Sequence, residues 1–86
     1  MGHKLSEGGV MSAVRQLAPT DTQVRVLRYL VESYTFEEIG ARMVPPISKR
    51  TVKYHVTELR RRLNCDSTRE LIRVGRVWLR ELDRGA

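Results

Sequence analysis

Three times between residues 20 and 70 a serine or threonine is followed three positions later by glutamate or glutamine: Thr20 with Gln23, Thr35 with Glu38, and Ser67 with Glu70. At that spacing the hydroxyl accepts from the backbone N–H of the third helical residue, while the longer side chain reaches back to the cap. Each pair therefore marks the start of a helix. Each also stands directly ahead of apolar residues that recur at helical spacing. The first predicts a helix over Asp21 to Ser33, with Val24, Leu27, Leu30, Val31 and Tyr34 turned inward. The second predicts a short helix over about Phe36–Met43 that buries Phe36, Ile39 and Met43. The third predicts a longer helix over about Thr68–Leu82. No stretch reads as a strand, no repeat recurs, and the predicted fold class is all-α.

Between the second and third of these helices the chain reads Val44-Pro45-Pro46-Ile47. Neither proline can donate a backbone hydrogen bond, and Pro46 pushes Pro45 out of the α region, so the helix must break there. Ser48 then caps a further helix over about Lys49–Leu63. Its stripe of Val52, Val56, Leu59 and Leu63 gives one clean buried face. Asn64 suits a left-handed stop. Gly40 inside the preceding short helix costs about 1 kcal/mol relative to alanine, which points to a neighbouring backbone packed close against it.

At 86 residues there is room for one small domain. Such chains bury only about 60% of their unfolded surface, so nearly every apolar residue is needed for packing. The hydrophobic content of 41% excludes a disordered chain. No apolar run approaches the roughly 18–20 residues of a membrane span, and the start has no signal-peptide core. Residues 1–16, with Gly2, Gly8 and Gly9, read as a flexible arm with a short helical turn near residues 10–17; residues 17–86 read as the domain. A single cysteine, Cys65, excludes a disulfide framework and reads as a core filler. With only His3 and His55 beside it, neither a metal site nor a base–nucleophile pair is expected, so the chain reads as no enzyme, with no cofactor. A reducing cytoplasm is the expected location.

Charge says more. Sixteen Lys and Arg against ten Asp and Glu give a net +6, and thirteen of the cations are arginine. Residues 49–62 alone hold Lys49, Arg50, Lys53, Arg60, Arg61 and Arg62 against Glu58, a local +5, and the other 72 residues contribute +1. Such a concentration marks a polyanion-binding segment. A short helix, a tight break and a longer basic helix with one apolar stripe make the pattern of a helix-turn-helix, whose second helix enters the major groove of duplex DNA. With Val52, Val56, Leu59 and Leu63 inward, Lys49, Arg50, Lys53, Tyr54, Thr57, Arg60 and Arg61 face outward. Lysine and arginine read guanine edges, threonine offers a hydroxyl and a methyl, and the helix start presents free N–H groups to a phosphate.

From Thr20 to Leu71 the chain resembles the LuxR/GerE-type DNA-binding domain, a four-helix module of bacterial transcription regulators. The resemblance is carried by Thr20-Asp21-Thr22-Gln23 before Val26-Leu27, by Thr35-Phe36-Glu37-Glu38-Ile39-Gly40, and by Ile47-Ser48-Lys49-Arg50-Thr51-Val52-Lys53-Tyr54-His55-Val56. Leu59-Arg60-Arg61-Arg62-Leu63 and Ser67-Thr68-Arg69-Glu70-Leu71 continue it. The Thr51–Val56 string is its most specific part. It implies sequence-specific, usually dimeric promoter binding. Lys53, Tyr54 and Thr57 would face bases, while Ser48, Lys49, Arg50, Thr51, Arg60 and Arg61 would sit on phosphates.

The sequence departs from the family pattern at several points. Three residues, Val44-Pro45-Pro46, occupy a turn that usually has one, which predicts an altered docking angle. Gln23 stands for the usual Glu, Ser33 for the usual helix-ending Gly, and Phe36 for a common Asn. There is no receiver or ligand-sensing domain, which leaves a stand-alone regulator or part of a longer chain.

The last helix carries apolar residues on more than one side. Leu71, Gly75, Trp78 and Leu82 form one row, and Ile72 and Leu79 another, with Val74 at the edge. One row closes the core and the second is left for a partner. The expectation is a homodimer through Ile72, Gly75, Trp78, Leu79 and Leu82. Two other readings stay open. The stretch from Val26 to Met43 also resembles the promoter-reading region of a sigma factor, acting with RNA polymerase. Alternatively, the basic helix or the last helix serves a protein-interaction module docked on a larger regulator.

Overall fold

The computed structural model describes residues 18–85, and the sequence-predicted arm and its helical turn lie outside them. Four helices follow one another: α1 Asp21–Val31, α2 Phe36–Arg42, α3 Lys49–Arg62 and α4 Thr68–Gly85, with no strand among the described residues. The starts are where the capping residues put them. Thr20 Oγ1 accepts from the Gln23 N–H at 3.2 Å and Gln23 Oε1 accepts from the Thr20 N–H at 3.1 Å. Thr35 and Glu38 repeat the exchange at 3.1 and 2.8 Å. The Thr35 backbone N–H, and after it the Thr35 hydroxyl, hold the Glu38 carboxyl below its ordinary range. The third box is half displaced. Ser67 Oγ accepts from the Glu70 N–H at 3.1 Å, but Glu70 reaches one residue further back, to the Asp66 N–H at 2.8 Å.

Two helices end in the same motif. After α1, Ser33 takes a left-handed conformation with φ 73°, the Ser33 N–H donates to Leu30 C=O and the Tyr34 N–H to Tyr29 C=O. After α3, Asn64 has φ 56°, with the Asn64 N–H on Arg61 C=O and the Cys65 N–H on Arg60 C=O. Both are Schellman closures, which use carbonyls that the helix leaves unpaired. Serine thus occupies a backbone state that glycine enters without steric cost.

One core lies between the helices: Val26, Leu27 and Leu30 from α1, Ile39 and Met43 at α2, Val52, Val56 and Leu59 from α3, then Cys65, Leu71 and Leu79. α1 touches all three other helices. Its buried stripe is Gln23, Val26, Leu27 and Leu30. Val24 and Val31, expected to face inward, are half-buried on its flanks, because the inward arc of a helix with three neighbours is wide. Phe36 and Leu63 are likewise half-buried against the core.

The predicted rows of α4 need correcting. The inward row is Leu71, Gly75 and Leu79. A Cβ on Gly75 would lie 2.8 Å from Leu27 Cδ1, so the glycine is a notch filled by α1. Gly75 and Leu79, both assigned to a dimer surface, are taken up by the domain's own core. Trp78, Ile72 and Val74 are half-buried, and the apolar side chains left in water are Val77, 53% exposed, and Leu82, 39% exposed.

Gly40 does have a backbone neighbour. A Cβ there would collide with the carbonyl oxygen of Ile47, and the Ile47 N–H donates to Gly40 C=O at 3.0 Å. The chain therefore leaves α2, runs outward through Val44, Pro45 and Pro46, all exposed, and returns to α2 at this contact. The Val44–Pro45 peptide is cis. Two substitutions test the account with opposite signs. Gly40→Ala is expected to destabilise by about 1–3 kcal/mol through overpacking, although alanine is the better helix former. Ser33→Gly is expected to stabilise by about 0.5–1 kcal/mol by relieving the left-handed strain. Urea denaturation of both variants beside the wild type checks them, and a more stable Gly40→Ala would refute the close approach.

Candidate nucleic-acid interface

α3 is placed by what lies beneath it. Ser48 Oγ accepts from the Thr51 N–H at 3.1 Å and lies 3.1 Å from Thr51 Oγ1, fixing the first turn. Val52 is fully buried beside Gly40, and Val56 and Leu59 continue the inward row. The opposite face follows from the 3.6-residue period. Arg50, Lys53, Tyr54, Thr57 and Arg61 recur at i, i+3, i+4, i+7 and i+11, and all five are exposed. Tyr54 is 60% exposed, with its ring edge-on to His55 at 5.6 Å between centroids. Lys49 is exposed at the helix start, and Ser48 precedes it at the surface. Thr51 is half-buried.

Among the described residues, no carboxylate lies within 4.0 Å of Lys49, Arg50 or Lys53. Their charge is carried uncompensated into solvent. The arginines at the far end of α3 divide differently. Arg61 is exposed and lies 3.1 Å from Glu58. Arg62 lies 3.9 Å from the same carboxylate and donates to Ala18 C=O at 2.8 Å, tying the end of α3 to the entry of α1. Arg60 donates to the Asp66 carbonyl in the turn before α4, and its Nε is buried with no partner. The side chain expected on a phosphate is thus half-buried and spent on the α3–α4 turn. Sequence periodicity contains that signal, because Arg60 neighbours the stripe position Val56 at i+4 while Arg61 stands opposite the stripe.

The remaining candidates fall outside the face. His55 is half-buried at its edge, with Nδ1 buried and without a partner. Cys65 is buried, and desolvation pushes its thiol above the ordinary range, which keeps it protonated and unreactive. No group of three or more His, Cys, Asp or Glu side chains suited to a metal ion occurs among the described residues.

The arrangement is a capped basic helix laid across a shorter one, with uncompensated cations at its N-terminal half. The sequence profile of the bacterial regulatory proteins of the luxR family matches residues 19–75, two-thirds of the chain. The chain belongs to the luxR family. Its function is accordingly DNA-binding transcription regulation, and the four helices are those of that family's helix-turn-helix domain. No curated protein and no solved structure matches it. The luxR match runs through Leu71 and stops at Gly75, so Val77, Trp78 and Leu82 lie beyond it. No helix among the described residues is long and apolar enough to cross a membrane.

The split between Arg60 and Arg61 has a measurable consequence. Arg60→Ala should lower stability by about 1 kcal/mol, the net worth of its hydrogen bond to the α3–α4 turn. Arg61→Ala, at the surface, should stay within about 0.5 kcal/mol of wild type. Equal losses in urea denaturation would mean that Arg60 does not hold the turn.

Proposed function

We propose that α3 enters the major groove of duplex DNA as the recognition helix of a sequence-specific regulator. Lys53, Tyr54 and Thr57 face base edges. Lys49, Arg50 and Arg61 lie against phosphates, with Ser48 and Thr51 at the helix start beside them. Arg60 leaves this set, since its guanidinium serves the α3–α4 turn. The observation that carries the reading is the single exposed face of α3, on which Lys49, Arg50 and Lys53 have no carboxylate within 4.0 Å among the described residues. A groove about 12 Å wide takes one such helix, and residues near its N-terminus reach furthest in. Uncompensated cations there release counterions on binding, so affinity falls with salt.

Base-reading and phosphate-binding side chains separate by experiment. After selection of bound sites from random duplexes, Lys53→Ala should cost about 1–3 kcal/mol at the selected site and relax preference at one base pair. Arg50→Ala should weaken all sequences about equally and reduce the log–log salt slope by about one unit. An unchanged motif for Lys53→Ala would overturn this orientation of α3.

A homodimer through α4 belongs to the same reading, with altered residues. Val77 and Leu82 are exposed, Trp78 and Val74 are half-buried between them, Ile72 lies on the other flank of the inward row, and a two-fold contact is the commonest way to cover such a patch. Two recognition helices about one helical turn apart would then meet inverted half-sites. Sedimentation on a two-half-site duplex should give two protomers for wild type and one for Val77→Asp, a substitution that leaves the core residues Gly75 and Leu79 intact. Wild type that loads one protomer per site would refute the dimer.

A further inference from the structure

Arginines stand at positions 69, 73, 76, 80 and 84, separated by four, three, four and four residues. At 3.6 residues per turn they form one row along α4, opposite Leu71, Gly75 and Leu79, and every one of them is exposed. Fifteen residue steps at 1.5 Å make the row about 22 Å long. The acidic residues of the helix stand at its sides. Asp83 is held across to α1 by a forked pair, Arg28 Nη2 to Oδ1 at 2.7 Å and Nη1 to Oδ2 at 3.1 Å. Glu70 lies 3.7 Å from Arg73 and Glu81 3.9 Å from Arg84, both exposed pairs that water screens. Arg76 donates to Val31 C=O at 3.2 Å, at the C-terminal end of α1. Among the described residues, Arg69 and Arg80 have no carboxylate within 4.0 Å. A tally of net charge understates this row, because three acidic residues offset three of the five arginines of α4 in number while pointing different ways.

We propose that this row is a second phosphate-binding face, which holds the backbone of a further duplex segment while α3 occupies its own site; only the second clause rests on the reading of α3 given above. All five cations are arginine, whose planar fork matches phosphate oxygens better than a point charge does. Their regular steps of about 4.5–6 Å along a straight line suit a polymer of evenly repeated charge. A duplex presents one charge per roughly 1.7 Å of its axis, whereas an acidic protein surface offers scattered carboxylates. α3 and α4 each turn one face to the common core, so the α3 face and the α4 row leave the molecule in different directions. One protomer can then bridge two segments.

The test uses the domain with a bead-bound duplex carrying its selected site and a labelled duplex without that site, at about 50 mM salt where phosphate contacts are strong. Wild type should retain the label. The Arg69→Gln, Arg73→Gln, Arg80→Gln, Arg84→Gln variant, substituted only at exposed positions, should load on the bead duplex within about twofold of wild type yet retain at least about tenfold less label. Full retention by the variant would mean that dimers, with one α3 on each duplex, do the bridging, and would overturn the proposal. So would equal loss from the bead duplex, which would assign the row to the first segment. Displacement of the label by polyglutamate as readily as by unlabelled duplex would assign the row to acidic proteins instead. A second measurement needs no contribution from α3. With Arg50, Lys53 and Arg61 replaced by Ala, residual binding to the site-free duplex should persist and disappear when the four glutamines are added. Its absence before that addition, or its survival after it, overturns the proposal even where the recognition-helix reading has failed by itself.

Discussion

The arrangement of the domain depends on one backbone contact. Where α2 presents Gly40, the carbonyl of Ile47 fits into the space a side chain would take, and the Ile47 N–H bonds back to Gly40 C=O at 3.0 Å. This contact sets Val52 beside Gly40, from which the rest of α3 follows by helical geometry. The cost of a glycine within a seven-residue helix is offset by the hydrogen bond and by the burial of Ile39 and Val52, both fully removed from solvent. Val44 at 81% exposure shows that the Pro-containing segment bulges outward and carries none of the packing.

A helix so anchored can give its whole outward face to charge. The basic cluster of α3 does not act as one unit, however. Its N-terminal cations project freely, while Arg60 and Arg62 fold back to carbonyls of Asp66 and Ala18 and close the structure around the end of the helix. Guanidinium groups suit both uses, since five donors on a long apolar stem can cap carbonyls at the edge of a core or reach into solvent. On α4 the same residue type is sorted by direction alone. Arg76 serves the end of α1, and its row partners project outward.

Legibility in the sequence followed how local each determinant is. The three helix starts were readable at Thr20, Thr35 and Ser67 because a capping box needs only four residues. The stop at Asn64 was readable for the same reason. The stop at Ser33 was readable as well, from the family pattern that usually has Gly there, but its left-handed turn was not, since serine seldom takes one and the carbonyls of Tyr29 and Leu30 hold it there. The inward row of α3 was read correctly at Val52, Val56 and Leu59 because that helix has one apolar stripe. α4 has several, and periodicity alone could not choose between Leu82 and Leu79 as the partner of Leu71 and Gly75.

The sequence by itself thus determined the all-α class, the membership of a luxR-type helix-turn-helix, the position of its basic helix and the side of that helix that faces outward. The membership rests on the resemblance of its motifs to that family, and the others follow from spacing within a single helix or turn, which is set by covalent geometry and hydrogen bonding over a few residues. The tertiary structure decided the rest: that Gly75 is filled by Leu27, that Leu79 is core, that Val77 is left in water, and that Arg60 is drawn to the Asp66 carbonyl. These depend on where a second helix lies, and no spacing within one helix encodes its neighbour's position. Burial, hydrogen bonding and exposure are decided between elements, and there the same arginine or leucine acquires its role.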